Sequence, residues 1–437
     1  MFRPALALIT LLAVAGCAAT APRAGVADGQ RDWASIRADL IACVDRYQRD
    51  TLPQEDCSIP VDARTPPEQL GRGLHLVWTG RIPDAEDYLD QLRAQEASPL
   101  VLAMLSLDMA FGTGNYAQAR ARLDALAGDP ALPAGLLDDY EVSWALANGE
   151  WRDALDRVEA LGPEARRSDR YRMLAWSQAA FALGMRGELA AFVEEVGRGP
   201  LAGTDEHLGA AFLLNQFDED AEGFSQFRLP GAGPEPERGV SVRIARLRSE
   251  VAQQLGSGCG QACDDLLGLL ATRHWDVRRA LDTALYFAFF GQPEQAAQAL
   301  ASAPASDREL EAFQSYRLLQ AWEQVFRGDL YGALVAAAEA VEMAPNDWEA
   351  HWLRVLIARE FADRDMLAGS LATIRKVAPW DVLSMSQFGH LSDHDDDPRL
   401  CAVALEWVQF LEAGAPAFTA GGREAMEAFL EGCGVSS

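Results

Sequence analysis

The sequence predicts an all-α fold, an α-solenoid of stacked helical hairpins, and three features of its pattern carry that expectation. A glycine recurs with an apolar residue two places on and, in most copies, an alanine three places beyond that. The copies are Gly80-Ile82-Ala85, Gly114-Tyr116-Ala119, Gly149-Trp151-Ala154, Gly187-Leu189-Phe192, Gly291-Pro293-Ala296 and Gly328-Leu330-Ala333. The first four glycines stand 34, 35 and 38 residues apart, close to the period of a two-helix repeat. Apolar residues then continue at i, i+4 and i+7, as in Ala85-Leu89-Leu92 and Ala119-Leu123-Leu126, which makes one apolar stripe on a helix.

The first element is a secretion signal rather than part of the fold. Arg3 precedes an apolar run over residues 5–15, followed by Gly16 and Cys17. That run is too short to span a bilayer, which takes about 20 apolar residues, and it has the charged start, apolar core and small residues of a signal peptide. The segment Val14-Ala15-Gly16-Cys17 resembles the lipobox of bacterial lipoproteins. The resemblance implies removal of residues 1–16 and lipidation of Cys17, with Ala18 after it leaning towards the outer membrane. An ordinary signal cut near Ala19 is the alternative. Residues 17–30 are small and polar with Pro22 among them, a composition that buries no core and reads as a tether.

Residues 31–67 are expected to form an N-terminal helical cap, and the repeats begin at residue 68. Each glycine lets the chain turn sharply out of a first helix. The alanine lets the second helix lie close, and a proline ends it. A copy between Gly187 and Gly291 can be placed with Ala262 at the alanine position. The last copy shows through Pro345 and Pro379, 34 residues apart, with Leu367 where the others carry alanine. Over residues 68–379 the pattern resembles the tetratricopeptide repeat, most clearly at Gly328-Asp329-Leu330-Tyr331-Gly332-Ala333 running through Glu339-Ala340-Val341 to Pro345. The Trp and Leu-Gly expected in the first helix of that repeat are mostly missing, so a related helical repeat fits the residues as well. The resemblance implies a curved scaffold whose exposed face grips other proteins.

Residues 215–239 interrupt the array with Asp218-Glu219-Asp220 and the run Pro230-Gly231-Ala232-Gly233-Pro234-Glu235-Pro236, which punctuates helices. They divide a first block, residues 68–214, from a second, residues 240–380. The second opens on the stripe Val240, Ile244, Leu247 and Val251. Residues 381–437 are expected to close the array as a C-terminal cap of helices over residues 402–411 and 423–430.

With Cys17 set aside, six cysteines remain in a chain addressed to an oxidising compartment, which favours disulfides. Neighbour pairing gives Cys43 with Cys57, Cys259 with Cys263, and Cys401 with Cys433. Fifteen connectivities are open to six cysteines, and this is the simplest.

The formal net charge of -27 argues against nucleic acid, whose phosphates need a positive footprint, and favours a basic partner. No elbow of the Gly-x-Ser-x-Gly kind, Ser-x-x-Lys pair or His-Glu-x-x-His helix occurs, and Gly256-Ser257-Gly258-Cys259-Gly260 lacks the Lys-Ser/Thr of a phosphate loop. Neither a catalytic residue nor a cofactor nor a metal is therefore expected. The acidic cluster from His390 to Asp397 has metal-ligand residue types, but an acidic turn capping a helix that starts near Pro398 explains it more simply. The Arg166-Arg167-Ser168-Asp169-Arg170-Tyr171-Arg172 piece reads as an ion-paired helix start. Trp348, His351 and Trp352 share one helix face and are the candidate partner-binding residues, since buried aromatic anchors dominate interfaces.

Together these features make the expected protein a lipid-anchored periplasmic scaffold in an envelope assembly, such as outer-membrane, pilus, secretion or polysaccharide-export machinery. A regulatory subunit of a cell-wall enzyme is the alternative, and a metal protein or enzyme using the His390 to Asp397 cluster is the third reading.

Overall fold

The computed structural model describes residues 36, 39, 40, 63–129, 132, 137–199, 201–202, 205–217, 260–271, 277–303, 305–391, 397–412, 414, 416 and 419–434. The signal and lipobox, the tether, most of the N-terminal cap, the junction from residue 218 and the stripe from Val240 to Val251 lie outside them. Every regular element among the described residues is a helix, and none is a strand. No described helix is long and apolar enough to cross a membrane.

The first block holds α1 (Pro66–Trp78), α2 (Ile82–Ala94), α3 (Pro99–Gly112), α4 (Tyr116–Leu126), α5 (Asp138–Ala147), α6 (Trp151–Ala160), α7 (Pro163–Ser168), α8 (Arg170–Ala182), α9 (Arg186–Val196) and α10 (Asp205–Asn215). The second holds α11 (Gly260–Ala271), α12 (Val277–Phe289), α13 (Pro293–Ala301), α14 (Asp307–Leu310), α15 (Gln314–Arg327), α16 (Leu330–Met343), α17 (Trp348–Phe361) and α18 (Arg364–Val377). After it come α19 (Val382–Ser386), α20 (Pro398–Glu412) and α21 (Ala420–Gly432). Helices pack on the next in line and often on the one after, as α1 does on α2 and α3, and α8 on α9 and α10. Packed this way, neighbouring helices bury their apolar stripes against one another.

One turn recurs in both blocks. At Gly80, Gly114, Gly149, Gly184, Gly291 and Gly328 φ lies between 67° and 79°, the left-handed conformation that glycine enters without strain. The residue after each closes the turn with a backbone N–H to a carbonyl five residues back, from Arg81 to Leu76, Asn115 to Ala110, Glu150 to Ala145, Met185 to Ala180, Gln292 to Phe287 and Asp329 to Gln324. Five residues beyond the glycines, Ala85, Ala119, Ala154, Leu189 and Ala333 are fully buried and Ala296 nearly so, where the second helix presses on the first. In the fourth copy this geometry corrects the sequence expectation. Gly184 makes the turn, and Gly187 sits inside α9. Local spacing permitted either glycine, whereas the closing bond belongs to one. The turn-to-turn step becomes 35 residues, in line with its neighbours.

Two further turns of this form, at Glu96 and Ala362, have no glycine. Ala362 takes φ 52°, Asp363 N–H closes on the Ala358 carbonyl at 2.9 Å, and Leu367 fills the packing position at 1% exposure. A side chain in this conformation costs roughly 1–2 kcal/mol, and glycine's greater freedom in the unfolded chain takes back part of that. Ala362→Gly is therefore expected to stabilise by about 0.5–1 kcal/mol. A raised urea midpoint with unchanged slope would bear this out, and a lowered one would refute it.

The two blocks lie side by side and run in the same direction. An Arg278 Nη2 donates to the Trp78 carbonyl, Asn346 Nδ2 to Asn148 Oδ1 and Trp380 Nε1 to the Phe181 carbonyl, across separations of 200, 198 and 199 residues. Gln314 N–H donates to the Thr113 carbonyl at 2.9 Å in the same series. The buried apolar residues form one continuous cluster across both blocks. Past α18, Cys401 and Cys433 are joined in a disulfide that ties α20 to α21, as the sequence suggested. Cys263 is also disulfide-bonded, while Cys43, Cys57 and Cys259 lie outside the described residues.

Candidate functional site

Where the blocks meet, their turns enclose a cleft. The first block supplies Tyr116 at the start of α4, Trp151 at the start of α6 and Phe181 near the end of α8; the second supplies Trp348 at the start of α17 and Trp380 just before α19. These five rings wall about 810 Å³ of space, its open mouth included. The turns place them there because each ring stands at or beside a helix end, and helix ends of one block face turns of the other.

Most polar groups of the cleft are already engaged. Trp151 Nε1 donates to the Lys376 carbonyl at 3.0 Å and Trp380 Nε1 to the Phe181 carbonyl at 3.1 Å, so two tryptophan N–H groups bolt the blocks together. Asn346 and Asn148 bond each other at 2.6 Å. Asp347 caps α17, its Oδ1 accepting the Ala350 N–H at 2.8 Å, and burial raises its carboxyl above the usual range. Burial, with Asp347 and Asp282 nearby, pushes the Tyr116 phenol up to about 12. The hydroxyl stays neutral at any physiological pH. Beside the Tyr116 hydroxyl, what remains to offer a ligand is mainly apolar surface, the usual character of a binding pocket's walls.

Of the three candidate partner-binding residues, only Trp348 reaches this cleft. It is half-buried, whereas His351 and Trp352 are 5% and 7% exposed. Their shared face is turned inward because α17 is wedged between α16 and α18 and against Phe289, whose ring lies 6.1 Å from Trp348 and 6.3 Å from Trp352. His351 Nε2 donates to the Pro345 carbonyl at 2.8 Å, and burial lowers its pKa. Nothing in the sequence joins Trp151 and Trp380 to this site, since their partners stand 225 and 199 residues away.

The arginine-rich piece is committed to ion pairs. Arg166 meets Glu159, Arg167 meets Glu164 and Glu195, Arg170 meets Glu206, and Arg172 meets Asp139. In the His390 to Asp397 segment, His390 is exposed and residues 392–396, His394 among them, lie outside the described residues. Asp397 caps α20: its Oδ1 accepts the Arg399 N–H at 2.9 Å, and the Arg399 guanidinium holds its carboxyl down at about 2. Among the described residues no three His, Cys, Asp or Glu are grouped to hold a metal ion. The Gly256 to Cys259 stretch lies outside them.

Set against known proteins, the chain matches no family model and no curated sequence.

Proposed function

We propose that this chain is a lipid-anchored periplasmic adaptor, tethered to the outer membrane at Cys17, whose tetratricopeptide-like hairpins wind into a superhelix. In this reading the inter-block cleft takes an apolar side chain from an extended segment of a partner in an envelope assembly. Touching segments of the two blocks stand 198 to 225 residues apart, and this supports the winding: successive turns of a superhelix keep a broadly similar separation, and a chain folding back on itself would shrink it. The observation that carries the binding reading is the five-ring cleft, in which most polar groups are already hydrogen-bonded within the protein. A small polar ligand needs convergent unspent donors and acceptors, while an apolar anchor on a peptide needs only a dry socket.

A photo-reactive benzoylphenylalanine in place of Trp348 tests it in intact envelopes. A discrete envelope protein is expected to cross-link from position 348 and not from the exposed position of Arg198. Cross-links to lipid alone, or the same product from both positions, would sink the proposal. Cys17→Ser is expected to release the chain from membranes, and retention after that change would overturn the anchor.

A further inference from the structure

Four large apolar side chains are exposed among the described residues: Phe326 at 40%, Tyr331 at 73%, Val335 at 48% and Phe361 at 47%. They are not scattered. Phe326 and Tyr331 flank the α15/α16 turn, Val335 stands one helical turn further along α16, and Phe361 ends α17 at the next hairpin turn. In stacked antiparallel hairpins these positions fall at one edge. The helix that carries two of them is apolar all round: within Leu330–Met343 only Glu339 and Glu342 are charged. A helix without a polar face is a helix that expects cover on both sides. It packs on α15 and α17 and also touches α4 of the first block, and its outer side shows Tyr331, Val335 and Ala338 at i, i+4 and i+7.

The first block shows what this kind of edge does. Its hairpin turns are where the second block is seated. A side chain built on Gly114 would meet Gln314, one on Gly149 would strike the Lys376 backbone, and one on Gly184 would meet the Gly414 carbonyl. The same construction at Gly291 and Gly328 meets nothing within 4 Å. Among the described residues the second block therefore repeats a docking edge and leaves it open at Gly291 and Gly328, with the exposed apolar side chains on it. Around them stand Glu323, Asp329, Glu339, Glu360 and Asp363, all exposed; Arg327 is paired with Glu323 and Arg317 with Glu339, and with Arg364 beside Asp363 the acidic groups still outnumber the basic ones.

We propose that the edge formed by Phe326, Tyr331, Val335 and Phe361 docks an amphipathic helix of a partner protein whose apolar face is flanked by Lys and Arg. Helix ends are what the equivalent edge of the first block already accepts, and the acidic rim selects basic flanks. A second copy of this chain is the poorer occupant, because a net charge of -27 repels its own kind. The surface stands apart from the inter-block cleft and does not depend on the reading given to it.

The probe is a synthetic amphipathic helix of about five turns, built from Leu and Lys with one photo-reactive residue on the apolar face. Its counterpart keeps that face and replaces Lys by Glu. With the full chain, the Lys peptide is expected to bind and to cross-link within α15–α18, and the Glu peptide not to bind. The double variant Tyr331→Ser, Val335→Ser, at exposed positions that leave the fold intact, should weaken binding by at least about tenfold. Cross-links in the cleft or elsewhere, equal affinity for the variant, or equal binding of the two peptides would overturn the proposal. So would a concentration-dependent dimer of the chain that the double variant abolishes, since the occupant would then be a second copy.

Discussion

Gly149→Ala is expected to destabilise the chain by roughly 2–4 kcal/mol, the combined scale of a left-handed side chain and an overpacked contact. Gly149 sits at φ 67°, and a Cβ there would stand 2.6 Å from the Lys376 carbonyl oxygen and 2.9 Å from the Val377 Cα. The obstacle is backbone, so no rotamer change relieves it. Its displacement also pulls away the carbonyl to which Trp151 Nε1 donates, loosening the cleft along with the turn. Gly328→Ala is the matched control, with φ 78° and open space where the methyl would go; it should cost only about 1 kcal/mol. Urea unfolding of the two variants separates conformational strain from the seam between blocks. Equal losses at the two positions would mean that the blocks do not press on each other at Gly149.

The second large effect is a hidden opposition in the pH dependence of stability. His75 in α1 is buried, and burial together with the charges of Arg81 and Arg72 lowers its pKa from 6.5 to about 4. The fold keeps it neutral while the unfolded chain protonates it, so its contribution is lost as pH falls from 6.5 towards 4. Asp108 in α3 runs the other way. Its Oδ1 accepts the Trp78 indole N–H at 3.2 Å and the Tyr140 hydroxyl at 3.0 Å, yet burial outweighs these bonds and raises its pKa from 3.8 to about 6. The fold favours its protonated form, so its contribution is full below 3.8 and is lost as pH rises through 6.

One pH unit of such separation is worth about 1.4 kcal/mol, so each group contributes roughly 3 kcal/mol over its window, in opposite directions. Between pH 7 and pH 4 they nearly cancel in the natural chain. His75→Gln is expected to remove the acid loss and leave the Asp108 gain, whereas Asp108→Asn, which keeps an acceptor for both donors, should leave the chain more acid-sensitive than before. Denaturant midpoints at a series of pH values check this. If both variants track the natural chain across the range, the two groups are not coupled to folding as described.

Much of the hairpin architecture was legible because its causes are local. Glycine at the left-handed position and a small or apolar residue five places on act within a single turn, so their recurrence stays visible in a linear string. Where a local rule admitted two answers, the string misled. Gly184 and Gly187 both fit a turn before α9, and only the Met185 to Ala180 bond chooses between them. At Ala362 the turn persists without its marker residue, because the closing bond and the burial of Leu367 outweigh the strain of one alanine. The face carrying Trp348, His351 and Trp352 was visible as a stripe, but a stripe shows only that residues face the same way. Whether that way is core or cleft depends on neighbours the stripe does not name.

The sequence by itself thus determined the helical class, the repeating turn, the positions pressed flat between paired helices and the acidic surface, all of which follow from residue chemistry acting over a few neighbours. Only the tertiary structure decided that Trp151 and Trp380 wall one cleft, that Gly149 is hemmed in while Gly328 is open at nearly the same φ, and that among the described residues one hairpin edge is covered and the other bare. Those outcomes arise from contacts between segments some 200 residues apart. Such contacts are set by the sum of many small packing angles between successive helices, which leaves no periodic mark on the chain.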